Sequence, residues 1–310
     1  MREVRSYHGQ AVIKEPVWTW EIPCYFFTGG LAGASAGLAY LCEIRGEHVL
    51  ARRAWAVSLA GVTASPLLLI SDLGRPARFL NMLRMFKVTS PMSVGSWNLT
   101  VSGTATAIAT AHSWLGLFPR LARVARPVAA LAGLPLSTYT AALVANTAVP
   151  AWHESRRMLP FVFAAGAGLS AGAAAAVATP PRHGAVARRL ALAGAVAEMA
   201  TKELMEHRLG DQGGPYHEGM AKRFGDLSRG CLLAGSALLL RRGGSSRPAA
   251  IAGGALLLGG ALSARWSVFK AGIGSVADPR YVVAPQRERV DDGTRPGAAR
   301  SHPRSSEDPA

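Results

Sequence analysis

The sequence predicts an all-α integral membrane protein with eight transmembrane helices, and three observations carry that expectation. Asp, Glu, Lys and Arg make up only 17% of the 310 residues, against about 25% in an ordinary soluble chain. Five runs, residues 22–42, 54–71, 88–119, 127–152 and 158–181, contain none of these four residue types. Each is long enough for the ~18 apolar residues that cross ~30 Å of hydrocarbon at ~1.5 Å per residue. The basic residues are gathered between such runs rather than along them. This pattern excludes a soluble enzyme and equally a protein with a single membrane anchor.

The spans follow in order. The first covers about 23–42, the second 54–71, the third 95–118, the fourth 128–149 and the fifth 160–179. Three weaker ones follow. Residues 190–197 are apolar but short, and reach membrane length only by taking in Glu198 or the Arg188–Arg189 flank. Residues 230–240 are capped by Arg241 and Arg242, and residues 248–264 end at Arg265. Eight spans put both termini on one side. The last 27 residues, from Ala284, are rich in Arg, Ser, Pro and Asp, a composition that cannot bury enough apolar surface to fold and reads as disordered.

The net charge is +15, from 34 Lys and Arg against 19 Asp and Glu. Nucleic-acid binding is the first alternative for such a balance. Because the bases sit in loops between apolar runs, anchoring at a lipid surface explains them better. The side bearing both termini (end A) carries the connections 72–94, 150–159 and 198–229. The opposite side (end B) carries four short turns, 43–53, 119–127, 180–189 and 241–247, each with three bases. Density of Lys and Arg in short loops favours end B as cytoplasmic. The three cysteines form no framework: Cys24 and Cys42 are at opposite ends of one span, about 27 Å apart. No CxxC suggests a zinc or iron–sulfur site. Of the eight histidines only His112 lies within a strong span, so the two facing imidazoles of a bis-histidine haem are not expected. No P-loop or dinucleotide fingerprint is present.

Polar groups inside a bilayer are costly and often functional. Glu21, Tyr25 and Thr28 share a helix face at end A, preceded by Trp18 and Trp20. They read either as an aromatic belt with an interfacial acid or as a polar pocket between helices. Tyr139 lies deep in the fourth run with Asn146 seven residues on. Its hydroxyl needs a partner, either a backbone carbonyl or a ligand oxygen. Asp72 and Arg75 open the connection after the second span, as a pair that pins the loop or as part of a docking surface. Gly29, Gly33 and Gly37 recur every four residues, as do small residues at close helix contacts; Gly253, Gly254, Gly259 and Gly260 read alike. Glu198, Lys202 and Glu206 are spaced for salt links along a helix surface.

These residues together resemble the NrfD/PsrC family, the haem-free membrane subunits of polysulfide reductase, nitrite reductase and related molybdopterin oxidoreductase complexes. The resemblance rests on Trp18-Thr-Trp20 with Glu21-Ile-Pro-Cys-Tyr25-Phe-Phe-Thr-Gly29-Gly-Leu-Ala-Gly33, then Asp72-Leu-Gly-Arg-Pro-Ala-Arg-Phe79 and Thr89-Ser-Pro-Met-Ser-Val-Gly-Ser-Trp97. It continues with Tyr139-Thr-Ala-Ala-Leu-Val-Ala-Asn-Thr-Ala-Val-Pro150-Ala-Trp152-His153, and with Arg265 and Ala271-Gly-Ile-Gly-Ser-Val-Ala-Asp-Pro279 after the last span. It implies two four-helix bundles. Residues 1–22 form an extramembrane N-terminal segment, 23–150 a first bundle with a quinone site, 151–270 a second bundle, and 271–310 an extramembrane, largely disordered tail.

The resemblance also implies a role: membrane anchor and quinone-interacting subunit, passing electrons between an iron–sulfur subunit and menaquinone, as in formate dehydrogenase- or polysulfide reductase-like complexes. The expected partners are a four-cluster ferredoxin-like iron–sulfur subunit and, through it, a molybdopterin catalytic subunit, with no haem, bound metal or nucleic acid. Tyr139 falls at the position that hydrogen-bonds the quinone headgroup. Ile22 and Tyr25 stand where polysulfide reductase has an asparagine and a histidine, so Tyr25, Glu21 and Trp20 are the expected contacts from the first span, with Asp72 and Arg75 beside them. The implied place is the bacterial cell membrane, with both termini extracytoplasmic. Two rivals remain at this stage: a secondary transporter, for which Glu198, Lys202, Glu203 and Glu206 are the best argument, and an anchor that handles no quinone.

Overall fold

In the computed structural model, residues 13–73, 78–84 and 86–283 are described. Arg75 and the expected disordered tail from Ala284 lie outside them. Eight long helices account for most of the described chain: α1 (Glu21–Ile44), α2 (His48–Asp72), α4 (Pro91–Leu115), α5 (Pro119–Ala145), α7 (Leu159–Ala178), α8 (Ala185–Leu209), α9 (Gly219–Arg242) and α10 (Arg247–Ala277). Two five-residue helices, α3 (Arg78–Met82) and α6 (Pro150–Glu154), lie between them. Four of the long helices, α2, α5, α7 and α10, are long and apolar enough to cross a membrane by length and composition.

Local chemistry sets the helix ends. Ser90 caps α4 by accepting from the Ser93 amide, with Pro91 in the first turn, where its missing N–H removes no helical bond. Gly116, at φ 71°, ends the same helix in a left-handed conformation that suits glycine. Ser246 and Pro248 repeat the start signal at α10.

The charge-free runs understate the helices. The bases expected in the turns of end B largely sit inside helices, within their first two turns: Arg52 and Arg53 in α2, Arg120 and Arg123 in α5, Arg188 and Arg189 in α8. The sixth and seventh spans, which looked shortest, belong to helices of 25 and 24 residues. The eighth is 31 residues long, so Arg265 and residues 271–277, expected after the last span, lie inside it.

α1 runs antiparallel to α2 and α5 and parallel to α7. α1 packs on α2, α5 and α7; α4 packs on α5 and α2; α7 packs on α8 and α10; and α9 packs on α10. α8 and α9 barely meet, leaving a wedge between them. Small residues set the distances. A Cβ on Gly33 would collide with the Gly133 carbonyl and a Cβ on Gly133 with the Gly33 carbonyl, so α1 and α5 touch backbone to backbone. The expected glycine face is only partly used, because Gly37 faces open space. Among the second set, Gly253, Gly254 and Gly260 are at helix contacts and Gly259 is not.

Candidate functional site

The α1–α5 crossing fixes the central pair of the site. Toward end A from Gly33 and Gly133, beyond Ser137, whose hydroxyl also faces Gly33, come Tyr25 and Tyr139. The Tyr25 hydroxyl donates to the Tyr139 hydroxyl at 3.4 Å, and the rings meet edge to face with centroids 6.5 Å apart. Tyr25 is 1% exposed and Tyr139 is partly buried. The Tyr139 ring rests against Gly95 of α4, where a Cβ would overlap both ring and hydroxyl. The glycine of the Thr89–Trp97 motif therefore makes room for the tyrosine. One level deeper, Thr28 and Ser65 share a hydrogen bond of 3.0 Å between α1 and α2.

Above the tyrosines, toward end A, is an acidic mouth. Glu21 is buried; its carboxylate accepts from the Thr19 hydroxyl and, at 3.4 Å, from Ser71. Asp72, at the end of α2, faces Glu21 and the Thr19 backbone. Four of the expected site residues, Glu21, Tyr25, Asp72 and Tyr139, are thus gathered where α1, α2, α4 and α5 meet at end A. Trp20 is 55% exposed and points away from the bundle. Asn146 closes α5 and lines a separate surface basin with Ile13, Thr147, His153 and Gln212.

Trp152, in the short helix α6, is fully buried and locks end A together. It stacks on Trp18 at 5.6 Å and donates through Nε1 to the Val268 carbonyl at 2.8 Å. Trp18 is therefore tied to the bundle through this stack. Gly272 of α10 clears the space that the indole occupies.

A second polar centre contradicts the sequence reading. Glu198 and Arg265 were expected on a helix surface and after the last span. They are 1% and 2% exposed and face each other across α8 and α10, with Nη1 and Oε1 3.7 Å apart. The Arg265 guanidinium also donates to the Phe163 carbonyl at 3.0 Å and lies 4.2 Å from the Phe163 ring centre. The available signal was the pair of opposite charges bordering two of the three weaker apolar runs, 190–197 and 248–264. Lys202 and Glu206 do form the expected link, at 2.9 Å.

Among the described residues no group of three or more His, Cys, Asp or Glu side chains is placed to hold a metal ion. No curated protein matches the chain. A family model described as polysulphide reductase, NrfD, matches residues 8–199, a segment that contains the tyrosine pair, the acidic mouth, Gly95 and Trp152. With well over half of its length matched, the chain belongs to the NrfD family.

Proposed function

We propose that the protein is the membrane-anchoring, quinone-interacting subunit of a molybdopterin and iron–sulfur oxidoreductase complex of the polysulfide reductase type. In this reading all eight long helices span the bacterial cell membrane, as two four-helix bundles, and end A is the extracytoplasmic side. The iron–sulfur subunit docks on end A and carries electrons to or from the molybdopterin subunit.

The observation that carries the reading is the direction of the tyrosine hydrogen bond. Tyr25 donates its hydrogen bond to the Tyr139 oxygen, which leaves the Tyr139 O–H to donate to an acceptor outside the pair. A phenol donates without carrying charge at neutral pH, which suits a quinone carbonyl. A largely apolar groove of about 450 Å³ on α4, lined by Phe86, Val94, Trp97, Asn98 and Val101, suits an isoprenoid tail. Menaquinone bound there would supply two-electron, two-proton redox chemistry. The chain's own part is to hold and orient: Tyr139 donates, Tyr25 fixes the Tyr139 rotamer, and Gly95 sets the ring against α4. Glu21 and Asp72, toward end A, are placed to exchange protons between the headgroup and the aqueous face.

The test is menaquinone-coupled turnover in the assembled complex. Tyr139→Phe is expected to slow it while the iron–sulfur subunit still co-purifies. Unchanged quinone affinity and rate would remove Tyr139 from the site.

A further inference from the structure

The α8–α9 wedge holds a cleft of about 430 Å³, walled by Val196, Met199, Leu232 and Leu233. Glu198 and Lys202 line it as well. A carboxylate in an apolar surrounding is costly unless it is well hydrogen-bonded. Neither Glu198 oxygen accepts a hydrogen bond from the protein, and Arg265 leaves Nε and Nη1 without acceptors. The pair is thus held close without being satisfied. A sealed structural ion pair would be expected to saturate its hydrogen bonds.

From Glu198 a row of ionisable groups leads to end A. Lys202 is one helical turn away, and its ammonium is 2.9 Å from Glu206. The other Glu206 oxygen is 3.6 Å from Nε2 of His217, which is well exposed. Arg229 of α9 and Glu203 of α8 are paired at 3.0 Å on the exposed rim of the cleft. From α7, Glu198 and Arg265 meet no ionisable group: Gly166 has no room for a Cβ beside either, and Phe163 offers its carbonyl and its ring.

Toward end B the pattern reverses. Residues 158–181, 190–197, 230–240 and 248–264 contain no acid and no basic side chain. Leu169, Ala191, Leu232, Leu257 and Ala261 pack there as one buried apolar cluster. The next charges on α8, Arg188 and Arg189, are about 15 Å away at ~1.5 Å per residue.

We propose that Glu198 is a proton-exchange site open to end A and closed to end B. A hydronium at the His217–Glu206 entrance gives up its proton and becomes water. The proton passes along Glu206 and the Lys202 ammonium to a Glu198 oxygen, which becomes a neutral carboxylic acid. Arg265 keeps its charge and stays held by the Phe163 carbonyl and ring. Release retraces the path and restores the ion pair. The site stands on residues separate from the tyrosine pair, so it holds or fails independently of the quinone reading.

Dicyclohexylcarbodiimide tests this on the unaltered full-length chain, because it modifies carboxyls that are protonated in apolar surroundings. In proteoliposomes, mass spectrometry is expected to find Glu198 modified several-fold more than the exposed Glu203. Labelling is expected to fall about tenfold per pH unit once the carboxyl ionises. Changing pH on the end A side alone should shift the labelling, and changing it on the end B side alone should not. No adduct at Glu198 at any pH, or an adduct independent of pH, would make the pair a structural bridge. Labelling that follows the end B pH would overturn one-sided access.

Discussion

Gly95 of α4 lies so close to the Tyr139 ring that no methyl group fits between them. The tyrosine is therefore positioned by what residue 95 lacks. Gly95→Ala should push the ring aside and cost about 1–3 kcal/mol, as overpacking does. A lower melting temperature with weakened menaquinone-coupled turnover is the expected result. A variant that melts and turns over like wild type would mean that α4 relaxes around the methyl group and that the ring is held elsewhere.

Tyr25 and Tyr139 should act as a coupled pair. Tyr25→Phe removes the bond that orients the Tyr139 hydroxyl, worth about 1 kcal/mol for a neutral pair. The quinone KM should rise by somewhat less than tenfold, with a larger loss for Tyr139→Phe. If Tyr25 works through Tyr139, the double variant should match Tyr139→Phe alone, because residues in one network do not add. Additive losses would give Tyr25 a contact of its own.

Glu198 and Arg265 offer a stability cycle. Glu198→Leu leaves a buried guanidinium and Arg265→Leu a buried carboxylate, each expected to cost about 3–5 kcal/mol. The double variant should cost less than either, since no unpaired charge remains. Thermal unfolding of the four proteins in detergent measures the coupling. Purely additive effects would mean that the two charges do not stabilise one another.

The α1–α5 crossing separates two glycines that look alike in sequence. Gly33→Val places a branched side chain where the Gly133 carbonyl sits and should abolish a well-packed fold, seen as loss of the monodisperse protein. Gly37→Ala meets open space and should lie within about 0.5 kcal/mol of wild type.

The helices were legible because a membrane span needs a minimum length of apolar chain, and five runs meet it with no charge. Two of the weaker three were drawn too short for the complementary reason. α8 and α10 carry Glu198 and Arg265 into the bundle, and a pair of opposite charges that neutralise each other there looks, in one dimension, like two helix ends. Tyr139 stood out as a lone hydroxyl in an apolar run, and Tyr25 as part of a polar stripe with Glu21. Their mutual hydrogen bond was hidden, since 114 residues separate them and only the Gly33–Gly133 contact brings them into register. The stacking of Trp18 on Trp152 was hidden in the same way, since 134 residues separate them.

That same crossing fixes an alignment. The Gly33 and Gly133 backbones meet with room for no Cβ on either, so α1 cannot slide along α5 without a clash. Toward end A of this contact are the paired tyrosines; toward end B, Arg126 of α5 meets Glu43 of α1 at 3.3 Å. One glycine contact thus sets the axial register shared by a hydroxyl pair at one face and an ion pair at the other.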